Sequence, residues 1–359
     1  MTTLDDLPIR DDLRGMSPYG APQKPVPIAL NVNENSHPIP DVVIEDISEA
    51  LRAAVSGVNR YPDREFRALR EALAGYLGND LTAENIWAAN GSNEVLQQIL
   101  QAFGGPGRSL LGFEPSYSMY PLLARGTGTR WIAGERAEDY ALSAEHVTAQ
   151  IAEHDPDIVI LCSPNNPTGT PLDLEVVRAA VDAARGIVIV DEAYHEFGRG
   201  QASATTLLPG RERLLVSRTM SKAFAFAGVR LGYLAGDPVA MDALRLVRLP
   251  YHLSALTQAA ATAALRHSES MLATVGDIAA QRDRIIAGLA ALGYETYPSA
   301  SNFVLFGGVE DPQALFDALL ERGILIRMMS IPGHLRVTAG TEQETTAFLD
   351  AMAELGSKA

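Results

Sequence analysis

Lys222 stands in the run Val216-Ser217-Arg218-Thr219-Met220-Ser221-Lys222-Ala223-Phe224, where an apolar stretch gives way to a hydroxyl-rich turn, and Arg230 follows eight residues later. Partial burial and a nearby guanidinium both push a lysine towards its neutral form. A neutral amine is a nucleophile, and an aldehyde is the electrophile with which it condenses reversibly. Thr219, Ser221 and Arg230 carry the donors that a phosphate dianion requires. An isolated Ser-Lys pair is ordinarily a solvated helix start, so this chemistry requires other segments to agree with it.

Four segments do. Asp191 opens Asp191-Glu192-Ala193-Tyr194 directly after the apolar run Ile187-Val188-Ile189-Val190. A carboxylate at the end of a buried strand is costly unless a cation pairs with it. A protonated pyridine nitrogen is such a cation, and the pairing keeps the ring an electron sink; capping of the next turn is the ordinary alternative. Tyr194 can donate to an oxygen on the same ring. In Ser163-Pro164-Asn165-Asn166-Pro167-Thr168-Gly169, Pro and Gly fix a turn that aims the Asn166 amide inward as a donor. Asn90-Gly91-Ser92-Asn93-Glu94 opens a helix whose free N–H groups at Ser92 and Asn93 can hold a phosphate, or serve as a plain N-terminus. Tyr117, in Glu114-Pro115-Ser116-Tyr117, can lie flat against a heterocycle or simply pack. An amine, a phosphate cup, a ring stacker, an oxygen donor and a ring-nitrogen counter-ion together describe the binding of pyridoxal 5′-phosphate (PLP).

Ligands of open α/β sheets sit beyond the carboxyl ends of the strands, so each of these segments should follow a strand. Short apolar runs at 86–89, 109–113, 129–133, 158–162, 187–190, 214–216 and 231–234 alternate with helical patterns. Runs apolar on both faces and separated by helices predict a mostly parallel seven-stranded sheet with helices on either side, an α/β fold. Residues 236–292 read as helical. A β-α-β-β-α pattern follows, with strands at 303–306, 323–327 and 335–338 and helices at 312–321 and 342–355. The expected division is an N-terminal arm at 1–45, a large domain at 46–258 and a smaller α+β domain at 259–359.

The remaining composition narrows the function. With 29 basic and 44 acidic residues the net charge is −15, which excludes a nucleic-acid footprint or an anionic membrane surface. An anionic substrate therefore needs locally placed arginines. The start Met1-Thr2-Thr3-Leu4-Asp5-Asp6 is acidic and lacks the apolar segment of a signal peptide, and no stretch reaches spanning length, so a cytoplasmic location is expected. The single cysteine, Cys162, reads as a core thiol, and Trp87 and Trp131 read as core. His195, His252 and His334 share no metal-ligand spacing, and no metal is expected.

Taken with Leu30-Asn31-Val32-Asn33-Glu34-Asn35, Asn59-Arg60-Tyr61-Pro62-Asp63, Ala300-Ser301-Asn302-Phe303-Val304 and residues 323–327, these motifs resemble the fold-type I PLP-dependent aminotransferases over essentially the whole chain. Within them the resemblance is to the histidinol-phosphate aminotransferases of actinobacterial type. It implies that Lys222 condenses with the cofactor aldehyde, Asp191 pairs with the pyridine nitrogen, Asn166 and Tyr194 bind the ring oxygen, and Tyr117 stacks on the ring. Ser92, Asn93, Thr219, Ser221 and Arg230 would hold the phosphate, joined by Tyr61 from the partner subunit of a homodimer. Arg336, in His334-Leu335-Arg336-Val337-Thr338, would grip the carboxylate of glutamate and 2-oxoglutarate, and Arg327 the substrate phosphate or distal carboxylate. Tyr19 and Asn33 would lie where the arm covers substrate. The implied reaction is transamination of L-histidinol phosphate with 2-oxoglutarate. A phenylalanine aminotransferase is the alternative, and a PLP decarboxylase of a phosphorylated amino acid a more distant one. Ser36-His37 in place of the usual proline, and Ser92-Asn93 in place of a small residue and Asp, depart from the family pattern.

Overall fold

The computed structural model describes residues 3–16, 18 and 20–356. β1 (Ile28–Ala29) belongs to the N-terminal arm and is followed by α1 (Asp41–Val55) and α2 (Arg67–Leu77). The central sheet then builds from β2 (Ile86–Ala89), β3 (Ser109–Glu114), β4 (Arg130–Glu135), β5 (Ile158–Cys162), β6 (Ile187–Asp191), β7 (Leu214–Thr219) and β8 (Gly232–Ala235). Helices α3 (Ser92–Phe103), α4 (Met119–Thr127), α5 (Ala144–His154) and α6 (Leu174–Ala183) follow β2, β3, β4 and β5 in turn. The strand order is β2-β8-β7-β6-β5-β3-β4, parallel throughout except that β8 runs against both β2 and β7. Every residue of β2, β5, β6, β7 and β8 is buried, so both faces of the sheet are covered and its strands are continuous apolar runs rather than alternating ones.

Beyond the sheet come α7 (Pro238–Val247), α8 (Ala255–Arg266), α9 (Ser268–Leu272) and α10 (Val275–Ala291). Asp237 caps α7 by accepting from the Val239 N–H, with Pro238 in the first turn where its missing donor costs nothing. The C-terminal part comprises β9 (Glu295–Thr296), β10 (Phe303–Gly307), α11 (Pro312–Glu321), β11 (Ile324–Leu325), β12 (Arg327–Met328), β13 (Leu335–Thr338) and α12 (Glu342–Glu354). β12, β13, β10 and β9 form an antiparallel sheet in that order. α12 begins in a reciprocal Thr341–Glu344 capping box. One apolar cluster fills the space around the central sheet, and a second, containing Phe303, Phe306, Phe348 and Leu30, lies under the C-terminal sheet. Among the described residues no helix is long and apolar enough to cross a membrane.

Several elements differ in detail from the sequence-based reading. The run at 214–216 continues as strand to Thr219 and that at 187–190 to Asp191, so residues expected just beyond two strands are their last members. Residues 323–327 form not one strand but two. Ile324 and Leu325 pair in parallel with Ile28 and Ala29, fully buried Ile326 breaks the line, and Arg327 and Met328 pair with β13. Trp131 is not core. It is half-buried on edge strand β4, with its indole N–H donating to Glu114 Oε1 at 3.2 Å.

Candidate active site

The carboxyl ends of β3, β5, β6 and β7, the start of α3 and the arm converge on a cavity of about 910 Å³. Ser92, Asn93, Tyr117, Asn166, Asp191, Tyr194, Thr219, Ser221, Lys222 and Arg230 all line it, together with Asn33, Arg327 and Arg336. Tyr61 is placed elsewhere: it is 79% exposed and stacks on Tyr251 with ring centroids 4.4 Å apart. Tyr19 lies outside the described residues.

At one side of the cavity Asp191 is 2% exposed, and among the described residues no cation pairs with it. Its donors are neutral: the Tyr120 hydroxyl gives to Oδ2 at 2.8 Å and the Ala193 N–H to Oδ1 at 3.2 Å. Burial pushes its carboxyl up to about 6 against the pull of those hydrogen bonds. A buried acid in this condition is matched by a cationic ring nitrogen, which restores the charged form.

Lys222 Nζ donates to the Val32 carbonyl at 2.9 Å and lies 5.9 Å from the Tyr194 ring centre. Desolvation, followed by the charge of Arg336, lowers it to about 8, with Glu34 opposing and Arg230 assisting. Tyr194 OH accepts from the amides of Asn33 at 2.9 Å and Asn166 at 3.4 Å. The other end of the Asn166 amide accepts from Arg336 Nη1 at 2.6 Å, which fixes its nitrogen towards the cavity side of Tyr194. Arg336 also donates from Nη2 to the Asn31 carbonyl at 3.0 Å and lies over the Phe303 ring at 5.0 Å, so its planar fork is held before any ligand arrives. Arg327 Nη1 reaches the Gly20 carbonyl at 3.4 Å.

Another part of the cavity lining suits an anion. Thr219 Oγ1 donates to Ser221 Oγ at 3.0 Å and accepts the Ser221 N–H at 3.1 Å, gathering both hydroxyls. Arg230 adopts φ +62°, a left-handed backbone that a side chain takes only under constraint from its surroundings. Gly91, at φ +86°, is where a Cβ would come within 2.6 Å of Arg230 Nη2. A Cβ on Gly232 would fall 2.1 Å from the Ser92 nitrogen, so the start of α3 docks on β8 where only glycine leaves room. The first N–H groups of α3 and the positive end of its dipole face this pocket. Asn93 Oδ1 is buried there with no partner among the described residues. Anion donors, a buried acid and an amine lining one cavity fit the donor set of a phosphorylated pyridine aldehyde.

Four contributors escape a reading of the sequence. Tyr120 lies inside α4, three residues beyond Tyr117, where an aromatic ordinarily signals packing. The Val32 and Asn31 carbonyls are backbone groups and carry no residue-type signal. Gly232 shows its necessity only once β8 and α3 are adjacent. Cys162 does line the cavity, but burial pushes its thiol up to about 12, which removes it as a nucleophile. His252 and His334 are occupied, the first with the Ala88 carbonyl at 2.9 Å and the second with Tyr297 OH at 2.9 Å.

Residues 25–352 match the family model described as aminotransferase class I and II. The chain is 64% identical to the histidinol-phosphate aminotransferase of Paenarthrobacter aurescens (strain TC1) over 98% of this chain and 96% of that one. It is 55% identical to that of Thermobifida fusca (strain YX), over 98% and 96% respectively. Among solved structures, the histidinol-phosphate aminotransferase from Sinorhizobium meliloti in complex with pyridoxal-5′-phosphate superposes with TM-score 0.83 at 27% identity, covering 92% of each chain. The aspartate aminotransferase from Thermus thermophilus with maleate gives 0.78 at 26%, over 91% of each. With the cavity at the strand ends and this likeness along nearly its full length, the chain belongs to the class I and II aminotransferases.

Proposed function

We propose that this chain is a PLP-dependent transaminase that interconverts L-histidinol phosphate and 2-oxoglutarate with imidazole-acetol phosphate and L-glutamate, a step of histidine biosynthesis. The observation that carries the reading is the presence, in one cavity, of a buried carboxylate with no cationic partner among the described residues and a lysine lowered to about 8, with three arginines alongside. Relatives named histidinol-phosphate aminotransferase at 51% to 64% identity support the choice of substrate.

PLP, when bound, supplies an electron sink that stabilises negative charge at the substrate Cα. Asp191 would hold the charge of its ring nitrogen, Tyr117 would stack on its ring, and Asn166 and Tyr194 would donate to its ring oxygen. Ser92, Asn93, Thr219, Ser221 and Arg230 would hold its phosphate. Lys222 Nζ, close to half-neutral near pH 8, both accepts a proton from the substrate Cα and returns one, as a general base and acid must. Arg336 presents two parallel N–H donors to the carboxylate of glutamate or 2-oxoglutarate, and Arg327 takes the substrate phosphate or distal carboxylate. The cavity's arginines supply locally the positive charge that a molecule of net charge −15 lacks globally.

The same reading makes the functional unit a homodimer. The exposure of Tyr61, Leu249 and Tyr251 supports it, since large apolar side chains left bare suit a second subunit, to whose site Tyr61 would be brought. The reading also divides the chain into an arm at 1–45, a large domain at 46–258 and a small domain at 259–359, with Asn33, and Tyr19 on the same arm, covering substrate. The separate apolar cluster under the C-terminal sheet supports a small domain, while Ala260, Ala261, Ala264, Leu265 and Met271 pack with the cluster of the central sheet.

Steady-state competition between histidinol phosphate and phenylalanine, with 2-oxoglutarate as acceptor, tests the assignment. Histidinol phosphate is expected to win by on the order of a hundredfold in kcat/KM, the discrimination a site gains from pairing a phosphate that the rival lacks. A preference for phenylalanine transfers the assignment to an aromatic amino acid transaminase. Product formation without 2-oxoglutarate would mark a decarboxylase.

A further inference from the structure

Asp191 is the most consequential buried charge in the molecule, and the groups that face it come from every element around it. From α4, the Tyr120 hydroxyl donates to Oδ2 at 2.8 Å; from its own strand end, the Ala193 N–H donates to Oδ1 at 3.2 Å. From β5, Cys162 is its register partner, with its Sγ donating to the Pro164 carbonyl at 3.5 Å; from β7, Ser217 is its partner on the other side. Glu192, its neighbour in sequence, is neutralised by Arg218 at 2.8 Å and accepts from Ser203 Oγ at 2.7 Å. Lys222 lines the same cavity. The Tyr120 phenol is thus the one side-chain donor to Asp191 among the described residues.

We propose that Tyr120 is a positioning residue that keeps Asp191 ionised and turns its free lone pairs towards the cavity, and so determines how tightly the site retains a protonated heterocycle. The proposal rests on the transaminase reading above. The turn leading into α4, closed by the Tyr120 N–H on the Tyr117 carbonyl at 3.0 Å, sets the two rings with centroids 5.4 Å apart and planes at 90°, so that Tyr117 lines the cavity while Tyr120 lies against the carboxylate. Tyr120 is 2% exposed, and burial raises its phenol well above the ordinary range, so it remains a donor at every working pH. Asp191 is already pushed up to about 6 with that donor in place. Without it, the carboxyl rises further towards neutrality and can no longer pair with a ring cation. Cys162 cannot substitute, because a thiol is a weak donor and its Sγ already reaches the Pro164 carbonyl at 3.5 Å.

Tyr120→Phe removes one oxygen and leaves the ring packing in place. The measurement is the dissociation constant of PLP, read from visible absorbance across roughly pH 5 to 8, for wild type, Tyr120→Phe, Asp191→Asn and the double variant. Tyr120→Phe is expected to weaken binding roughly tenfold at neutral pH, the ordinary worth of a hydrogen bond to a charged group. It should also shift upward, by about one unit, the pH below which affinity falls. In the Asp191→Asn background the same substitution should change nothing further. A merely structural tyrosine would leave the pH midpoint where it was, and an unshifted midpoint, or additive losses in the double variant, overturns the proposal. Wild-type protein that binds no PLP sinks the transaminase reading itself, which is a separate failure.

Discussion

Asp191 and Lys222 are both displaced from their ordinary acidities by removal from water, the acid upward and the base downward, so each is biased towards its neutral form. For Asp191 the folded value, about 6, lies above the ordinary 3.8, so the cofactor-free protein holds that proton more tightly than the unfolded chain does. The associated stability is full below about pH 4 and is lost as pH rises through 6, about 3 kcal/mol in all. Urea denaturation of cofactor-free wild type against Asp191→Asn should show this slope in the wild type alone. For Lys222 the neutral amine is the reactive species. Its condensation with PLP in cofactor-free protein should therefore accelerate about tenfold per pH unit below 8 and level off above it, by stopped-flow absorbance. Lys222→Ala should abolish turnover while still binding PLP. Arg336→Lys exchanges a planar fork for a point charge and should cost glutamate about a hundredfold in kcat/KM. The proposed site residues at 191 and 222 were legible because Asp191 ends an apolar run that has no other use for a charge, and Lys222 closes a hydroxyl-rich turn that follows one. Tyr120 was not, since nothing in the order of residues shows which side of a short helix lies against a strand end.

At the scale of elements, the proposed phosphate cup is a junction between the start of α3 and strand β8, and two glycines make that junction possible. Gly91→Ala would bring a methyl against the Arg230 guanidinium at a φ of +86°. Retained folding with PLP affinity reduced at least tenfold is the expected result in an absorbance titration, because the anion site is deformed while the sheet is untouched. Gly232→Ala would instead collide with the backbone of Ser92, which cannot rotate away, and should lower unfolding free energy by roughly 3 kcal/mol in urea. Long buried strands such as β5 and β6 declare themselves as unbroken apolar runs. β1 and β9, two residues each, do not, because so few residues carry no periodicity and exist as strands only through their partners. The division of residues 323–327 was hidden for a related reason: an apolar run does not record that it changes neighbours halfway, from Ile28 to Arg336.

At the scale of the molecule, the proposed sharing of Tyr61 between subunits has a direct test. Tyr61→Ala and Lys222→Ala, each inactive or nearly so alone, should on subunit exchange recover about a quarter of wild-type activity, since half the dimers are mixed and each has one intact site. No recovery would confine Tyr61 to its own subunit. The arm adds a further constraint. Its backbone at Asn31 and Val32 offers successive carbonyls to Arg336 and to Lys222, while Ile28 and Ala29 are bound edge to edge with Ile324 and Leu325. The clasp for the incoming anion and the resting amine are thus tethered to one ribbon of main chain, which is itself fastened to the C-terminal part of the protein. Any shift of that ribbon slackens both at once, so seating an acid and freeing the amine become a single mechanical event rather than two.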